Sequence, residues 1–259
     1  MKASISQIKT FKACRRAWYF KYHEKLIPVT VSDSIETGKN YHRLLEQLEN
    51  GKELEEGWYS KEYAMAAAYQ KYILPNFHVI ATEKELEKEI GGHILHGFVD
   101  GLSDDGHIVE HKTTSSDISV GGEYEYKLLW DEQVLAYMLL SGLRKVHYTV
   151  CRKPTIRQKK DETDEEFYNR MVAWYDDDTE HKIRVFTVER TDEEVAKFEE
   201  EIEQILDTMD VVTMNLENNP LNIYRNTCHC NAWGRRCEYS SVCLHYDSNQ
   251  QYIEFTKGE

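Results

Sequence analysis

The sequence predicts an α/β (α+β) fold in which helices flank a small mixed central sheet. Two kinds of segment predict it. Apolar residues recur at helical spacing over 4–22, 38–50, 60–74, 124–142 and 191–214, and short runs rich in β-branched residues fall at 78–113, 145–151 and 183–188. There is no internal repeat, and helices that alternate with a few strands imply layers around one sheet. With 259 residues, 41% hydrophobic and 12% aromatic, the chain is long enough to bury a core and too apolar for wholesale disorder.

The elements follow in order. Ser4 or Ser6 caps the first helix, and Ile8, Phe11, Cys14 and Trp18 share one face. A polar stretch runs from Pro28 to Thr37. Leu44, Leu45 and Leu48 stripe the next helix. Gly38-Lys39 hints at a phosphate loop, but Asp33 and Asn40 break the required spacing, which excludes that mode of ATP binding. Val79, Ile80, Ile90, Ile94, Leu95, Phe98, Val99, Ile108 and Val109 outline three strands, punctuated by Gly91-Gly92 and Asp104-Asp105-Gly106. Gly142 ends the helix 124–142, and KVHYTVC (145–151) reads as a strand. The segment 161–181 reads as loop plus a short helix, and IRVFTV (183–188) as a strand. Thr191-Asp-Glu-Glu caps a long acidic helix. The tail is irregular and rich in cysteine. The whole reads as one domain over 1–259, with a helical part (1–75), a core (76–190) that takes an acidic insertion from 161, and a C-terminal helix and tail (191–259).

The net charge of −14 argues at first against nucleic acid. Residues 161–210 alone hold 19 acidic and 5 basic side chains, so the rest of the chain is neutral. Within that rest, residues 1–30 carry seven Lys/Arg against one Glu, and residues 144–160 carry seven Lys/Arg and no acid. Two basic runs masked by an acidic segment leave a nucleic-acid surface open. The N-terminus has no continuous apolar stretch of the signal-peptide kind, and no segment has the length of a membrane span, so a soluble intracellular protein with no membrane role is expected.

The most informative stretch runs from Gly97 to Lys112. A three-residue turn at Asp104-Asp105-Gly106, with Gly106 left-handed, pairs Asp100 directly with Glu110 and puts Lys112 on their face. Directly opposed Cβ atoms stand about 4.5–5.5 Å apart, and two carboxylates that close repel unless a cation lies between them. Hard oxygen ligands suit Mg²⁺ or Mn²⁺. A lysine beside them can orient water or steady charge on a phosphate.

An Asp on one strand followed by Glu-x-Lys on the next, here Asp100 and Glu110-His111-Lys112, resembles the PD-(D/E)XK nuclease superfamily. The chain looks like its RecB-like branch, which includes CRISPR-associated and phage iron–sulfur exonucleases. Further marks of that branch are Gly38-Lys-Asn-Tyr-His42, the pair Gln133 and Tyr137 one turn apart on a helix, and one early cysteine (Cys14) with three late ones (Cys230, Cys237, Cys243). The resemblance spans about residues 4–245 in the right order. It implies a restriction-endonuclease-like core and metal ligation by His42, Asp100 and Glu110, with the His111 backbone carbonyl as a further ligand. It implies catalytic roles for Asp100, Glu110 and Lys112. Gln133 and Tyr137 would contact the DNA backbone or support the site.

Four of six cysteines crowd into the last 32 residues, and without a secretory signal a disulfide framework is not expected. Four thiolates fit tetrahedral zinc or a [4Fe–4S] cluster. The resemblance implies the cluster on Cys14, Cys230, Cys237 and Cys243, a staple joining the first helix to the tail. If the chain is extended at 228–230, Cys228 points to the same side as Cys230 and is its nearest substitute. Cys151 reads as a core residue.

The expected function is therefore a Mg²⁺- or Mn²⁺-dependent DNA exonuclease with a structural [4Fe–4S] cluster, in the cytoplasm of a prokaryote or phage-infected cell. Arg15, Arg16, Lys153 and Arg157 would track the DNA backbone. The partner is DNA with free ends, and any helicase or recombination partner is a separate chain. The alternative is a catalytically weak DNA-binding or adaptor protein with zinc on its cysteines.

Overall fold

The computed structural model describes residues 1–29, 33–55, 57–216, 223–234, 236–245 and 255–258. In chain order the elements are β1 (Lys2–Ser4), α1 (Ile5–Ala13), α2 (Arg15–Trp18), β2 (Leu26–Pro28), α3 (Asp33–Glu49), α4 (Lys61–Tyr72), β3 (Val79–Ile90), β4 (His93–Ser103), β5 (Ile108–Thr114), α5 (Glu123–Leu128), α6 (Glu132–Ser141), β6 (Lys145–Arg152), α7 (Asp164–Asp176), β7 (Ile183–Glu189), α8 (Asp192–Leu216), α9 (Ser240–His245) and β8 (Phe255–Lys257). This is the mixed α/β architecture that the sequence implies. Among the described residues no helix is long and apolar enough to cross a membrane.

The chain divides into two compact units that interleave in sequence: Met1–Val31, Glu87–His96 and Lys197–Glu259 form one, and Ser32–Leu86 and Gly97–Ala196 form the other. In the second unit, β4, β5, β6 and β7 lie side by side in that order. β4 and β5 are antiparallel, β5 and β6 parallel, β6 and β7 antiparallel. The β4–β5 turn is the three-residue loop read from the sequence, closed by Ser103 N–H donating to the His107 carbonyl at 2.9 Å. Its last residue, Gly106, has φ +80°, a region that glycine enters freely. Alternation sends odd and even residues of β5 to opposite faces of the sheet. One face is covered by α3 and α4, whose Tyr41, Leu44, Leu45, Leu48, Met65 and Tyr69 form a buried cluster with Cys151, Tyr175 and Ile183. The other face receives α6.

Three elements differ from the sequence reading. The helix expected over 124–142 is two helices, because the Asp131 side chain accepts from Gln133 N–H at 3.1 Å and starts a new one. The charged segment after 161 holds a 13-residue helix, α7. A reciprocal Thr163–Glu166 cap starts it, and Met171 and Tyr175, one turn apart, are buried. Of the polar stretch 28–37, residues 30–32 lie outside the described residues, and α3 already begins at Asp33.

In the first unit, β1 runs parallel to residues 94–96 of β4, and β2 pairs antiparallel with β8. The single helix expected over 4–22 is broken at Cys14, whose backbone is extended (φ −162°, ψ 113°). Asn226 Nδ2 donates to the Ala13 carbonyl at 2.9 Å, a carbonyl that an unbroken helix would use internally. Phe11 and Trp18 meet edge to face at 5.1 Å, and Tyr239 stacks on Phe255.

Candidate active site

The strand register Gly101↔Val109 and Leu102↔Ile108, continued one step, sets Asp100 opposite Glu110. The two carboxylates have very different surroundings. Asp100 Oδ2 accepts from the backbone N–H of His111 at 2.7 Å, and Oδ1 faces His42 Nδ1 at 3.5 Å. Burial works to raise the Asp100 carboxyl, but His42 and His111 outweigh it and hold it below the usual carboxylate range. Glu110 is almost wholly buried. Burial first, then the Asp100 charge, push its carboxyl up to about 7 against the pull of Lys112. One Glu110 oxygen accepts from Lys112 Nζ at 2.6 Å, while the other, Oε2, is buried without a hydrogen-bond partner.

Lys112 is held from three sides. Besides Glu110, its ammonium lies 3.4 Å from Asp131 Oδ2 and donates to Gln133 Oε1 at 3.4 Å. Burial alone would lower its pKa, but the Glu110 and Asp131 carboxylates raise it above the ordinary value. Gln133 in turn donates to the Tyr137 hydroxyl at 2.8 Å. Tyr137 lies against the backbone of Gly97, where an added Cβ would stand only 2.9 Å from Tyr137 Cε1. Glu110, Lys112, Gln133 and Tyr137 are thus one bonded network, on which Asp100, held by His111 and flanked by His42, acts through its charge.

The sequence reading missed what stands behind this network. The His111 imidazole points to the other face of the sheet, where Nδ1 meets Thr149 Oγ1 at 2.6 Å and Nε2 lies 3.2 Å from Glu49 Oε1. Glu49, with its side chain 1% exposed, also accepts from the Tyr69 hydroxyl at 2.6 Å. Burial lowers the His111 pKa, but the Glu49, Asp100 and Glu110 carboxylates raise it further than that. The side chain is thereby committed, which leaves only the backbone of His111 to face the carboxylates. A signal existed: Glu49 follows His42 by seven residues and so lies on the same helix face.

The donor set suits a divalent ion. Asp100 stands opposite Glu110 with His42 beside it, and the partnerless Glu110 oxygen is a buried acceptor in want of a cation.

The cysteines lie in the first unit. Cys14 is buried, Cys230, Cys237 and Cys243 are half-buried, and Cys228 is exposed. Burial, with Cys14 and Cys230 close by, raises the Cys237 pKa, and Cys237 N–H donates to the Cys230 carbonyl at 2.8 Å. Cys243 stands on α9, its N–H bonded to the Tyr239 carbonyl. Residues 227–229 form a 3₁₀ turn, so the extended backbone expected at 228–230 is corrected: the turn separates the two side chains, and Cys228 faces solvent. Cys151 is a core residue as expected, its thiol pushed up to about 12 by burial.

The basic residues are dispersed. Arg15 sits over the Phe11 ring in the first unit with Arg16 beside it in α2. In the second unit Lys153 donates to Ser34, and Arg157 is exposed. Arg144 and Lys145 are paired with Asp192 and Glu189.

A search of curated proteins returns no match. Among solved structures, the chain is similar to SSO0001 (16% identity, 93% of this chain and 85% of that one, TM-score 0.47). It is similar to an alkaline exonuclease, LHK-Exo, from Laribacter hongkongensis (14% identity, 85% and 93%, TM-score 0.40). It is also similar to a phage related exonuclease from Haemophilus somnus 129PT (14% identity, 82% and 96%, TM-score 0.39). The family model of the PD-(D/E)XK nuclease superfamily matches residues 2–244, a span that includes the Asp100 and Glu110-His111-Lys112 network. The chain belongs to the PD-(D/E)XK nuclease superfamily.

Proposed function

We propose that the protein is a Mg²⁺- or Mn²⁺-dependent deoxyribonuclease that hydrolyses phosphodiester bonds from DNA ends and carries a structural [4Fe–4S] cluster. The nuclease reading rests on Glu110, a buried carboxylate beside Asp100 with one oxygen on Lys112 and the other unpartnered. An unpaired buried acceptor of this kind is costly on its own. Asp100, Glu110 and His42, with the His111 carbonyl, are the groups that would hold the ion. Bound there, it would supply positive charge to the scissile phosphate and make bound water more acidic. Lys112 orients the attacking water or donates to a phosphate oxygen. Asp131 and Gln133 keep its ammonium charged and aimed, and Tyr137 fixes Gln133. Arg15, Arg16, Lys153 and Arg157 contact phosphates along the strand.

The order of the motifs around His42 and Gln133–Tyr137, like that of RecB-like exonucleases, supports attack at ends. Cys14, Cys230 and Cys237 lying close together, with Cys243 on the next helix, supports a shared inorganic group. End-labelled linear DNA and closed circular DNA, each given EDTA, Mg²⁺ or Mn²⁺, test the activity. Linear DNA should be degraded only with the ion, and circles should survive. Cutting of circles would make the protein an endonuclease, and inert DNA in every condition would favour the adaptor reading.

A further inference from the structure

We propose that Asp105, His107 and His147 form a second metal site, separate from the carboxylate pair, for a divalent transition-metal ion that favours imidazole, such as zinc. Asp105 and His107 belong to the β4–β5 turn and its exit, and His147 lies on β6. One nitrogen from each ring and one carboxylate oxygen lie within 4.8 Å of one another. His107 Nδ1 and His147 Nε2 each stand 2.9 Å from the same atom, Asp105 Oδ2. Tetrahedral ligands with bonds of about 2.0–2.1 Å stand about 3.3 Å apart, so an outward shift of a few tenths of an ångström by each ring would admit the ion.

The atoms facing away from this point already have partners. Asp105 Oδ1 takes the Ser103 hydroxyl, and His147 Nδ1 meets Thr187 Oγ1 at 2.9 Å. Outer contacts of this kind fix the tautomer and aim of metal-bound histidines and carboxylates. His107 Nδ1 is buried and makes no aligned hydrogen bond, despite lying so close to Asp105. A plain hydrogen-bonded clasp would leave that nitrogen unsatisfied, whereas an ion would use its lone pair. Two imidazoles and one carboxylate suit zinc, nickel or cobalt better than magnesium or calcium. A cavity of about 330 Å³, lined by Phe77, Asn76, Asp105, His147 and Thr187, leaves room for water at the remaining positions. Bound there, the ion would pin the β4–β5 turn to β6.

The test is a Zn²⁺ titration of the tag-free protein, read by NMR of the imidazole nitrogens, with the remote His181 as an internal comparison and His42 reporting zinc at the carboxylate pair. One equivalent should shift His107 Nδ1 and His147 Nε2 together and leave His147 Nδ1 protonated. Asp105→Asn, at a half-exposed position in the turn, should keep the native circular dichroism spectrum, weaken this site at least tenfold and abolish any zinc-induced rise in Tm that depends on it. Zinc that leaves the His107 and His147 signals in place, or that binds Asp105→Asn as tightly as wild type, would overturn the proposal.

Discussion

The backbone N–H of His111 donates to Oδ2 of Asp100 at 2.7 Å, while the imidazole of the same residue is buried on the opposite face of the sheet against Glu49 and Thr149. One residue thus ties the carboxylate on β4 to a buried polar group under α3. Asp100 is only as well placed as His111, and His111 only as well placed as Glu49.

Glu49→Gln should therefore damage a reaction that it never touches. It keeps an oxygen for Tyr69 but removes the charge beside His111. A stability loss of about 1–3 kcal/mol is expected from weakening a buried charged hydrogen bond. More divalent ion should be needed for half-maximal nuclease activity. Urea unfolding and a Mn²⁺ titration of activity measure the two effects, and an unchanged Mn²⁺ requirement would detach Glu49 from the site.

The raised pKa of Glu110 has a definite sign. Its folded value is pushed up to about 7 from an ordinary 4.5, so the ion-free fold holds more protons than the unfolded chain between those values. The Glu110 contribution favours the ion-free fold at low pH and is lost as pH rises from about 4.5 through 7. Asp100, held low, stays ionised throughout that window. Ion-free wild type should lose Tm across it, and Glu110→Gln should flatten the profile. Affinity for Mg²⁺ or Mn²⁺ should rise over the same window, because the ion competes with the proton.

Lys112→Ala should fold, because the Glu110 carboxyl, already pushed up to about 7, can hold a proton once the ammonium is gone, yet lose activity by about 10²–10³-fold, as expected for a donor to developing charge. Circular dichroism checks the fold, and single-turnover digestion checks the rate. Full activity in this variant would remove lysine from the mechanism.

Purified without oxygen, the protein should be brown. Cys14→Ser, Cys230→Ser, Cys237→Ser and Cys243→Ser should each bleach it, and the exposed Cys228→Ser should not. A colourless protein with one bound zinc would give the cysteines to zinc instead.

Affinity for DNA should fall with salt in spite of the net charge of −14. Arg157→Glu should weaken binding without loss of stability, because the side chain is exposed. Lys153→Glu should also cost stability, because its ammonium is bonded to Ser34. Native electrophoresis over a salt series, with melting curves, separates the two effects.

The carboxylates and the lysine were legible because strand alternation and a three-residue turn fix which residues oppose and which share a face, whereas the Gln133–Tyr137 pair on α6 was legible through the resemblance to the nuclease family. Glu49, Thr149 and Asp131 were not, although they aim the others. Thr149 enters through the parallel register His111↔Thr149, which no local pattern announces. Asp131 breaks a helix that periodicity alone would run through. The helix within 161–181 reads as short because its charge obscures the apolar spacing of Met171 and Tyr175, and the short strands β1, β2 and β8 lie below the length at which alternation can be read. The Ala13 carbonyl freed by the break at Cys14 is met by Asn226, more than two hundred residues away and beyond any local pattern.

The bare backbone at Gly97 leaves the Tyr137 ring a clearance smaller than a single methyl group. A methyl there would not touch a polar atom, yet the displaced ring would carry its hydroxyl away from Gln133, and Gln133 away from Lys112. The lysine is therefore set by a mechanical tolerance on a strand that carries no charge at that point. Variation at position 97 can tune or silence the site while its charged residues remain intact.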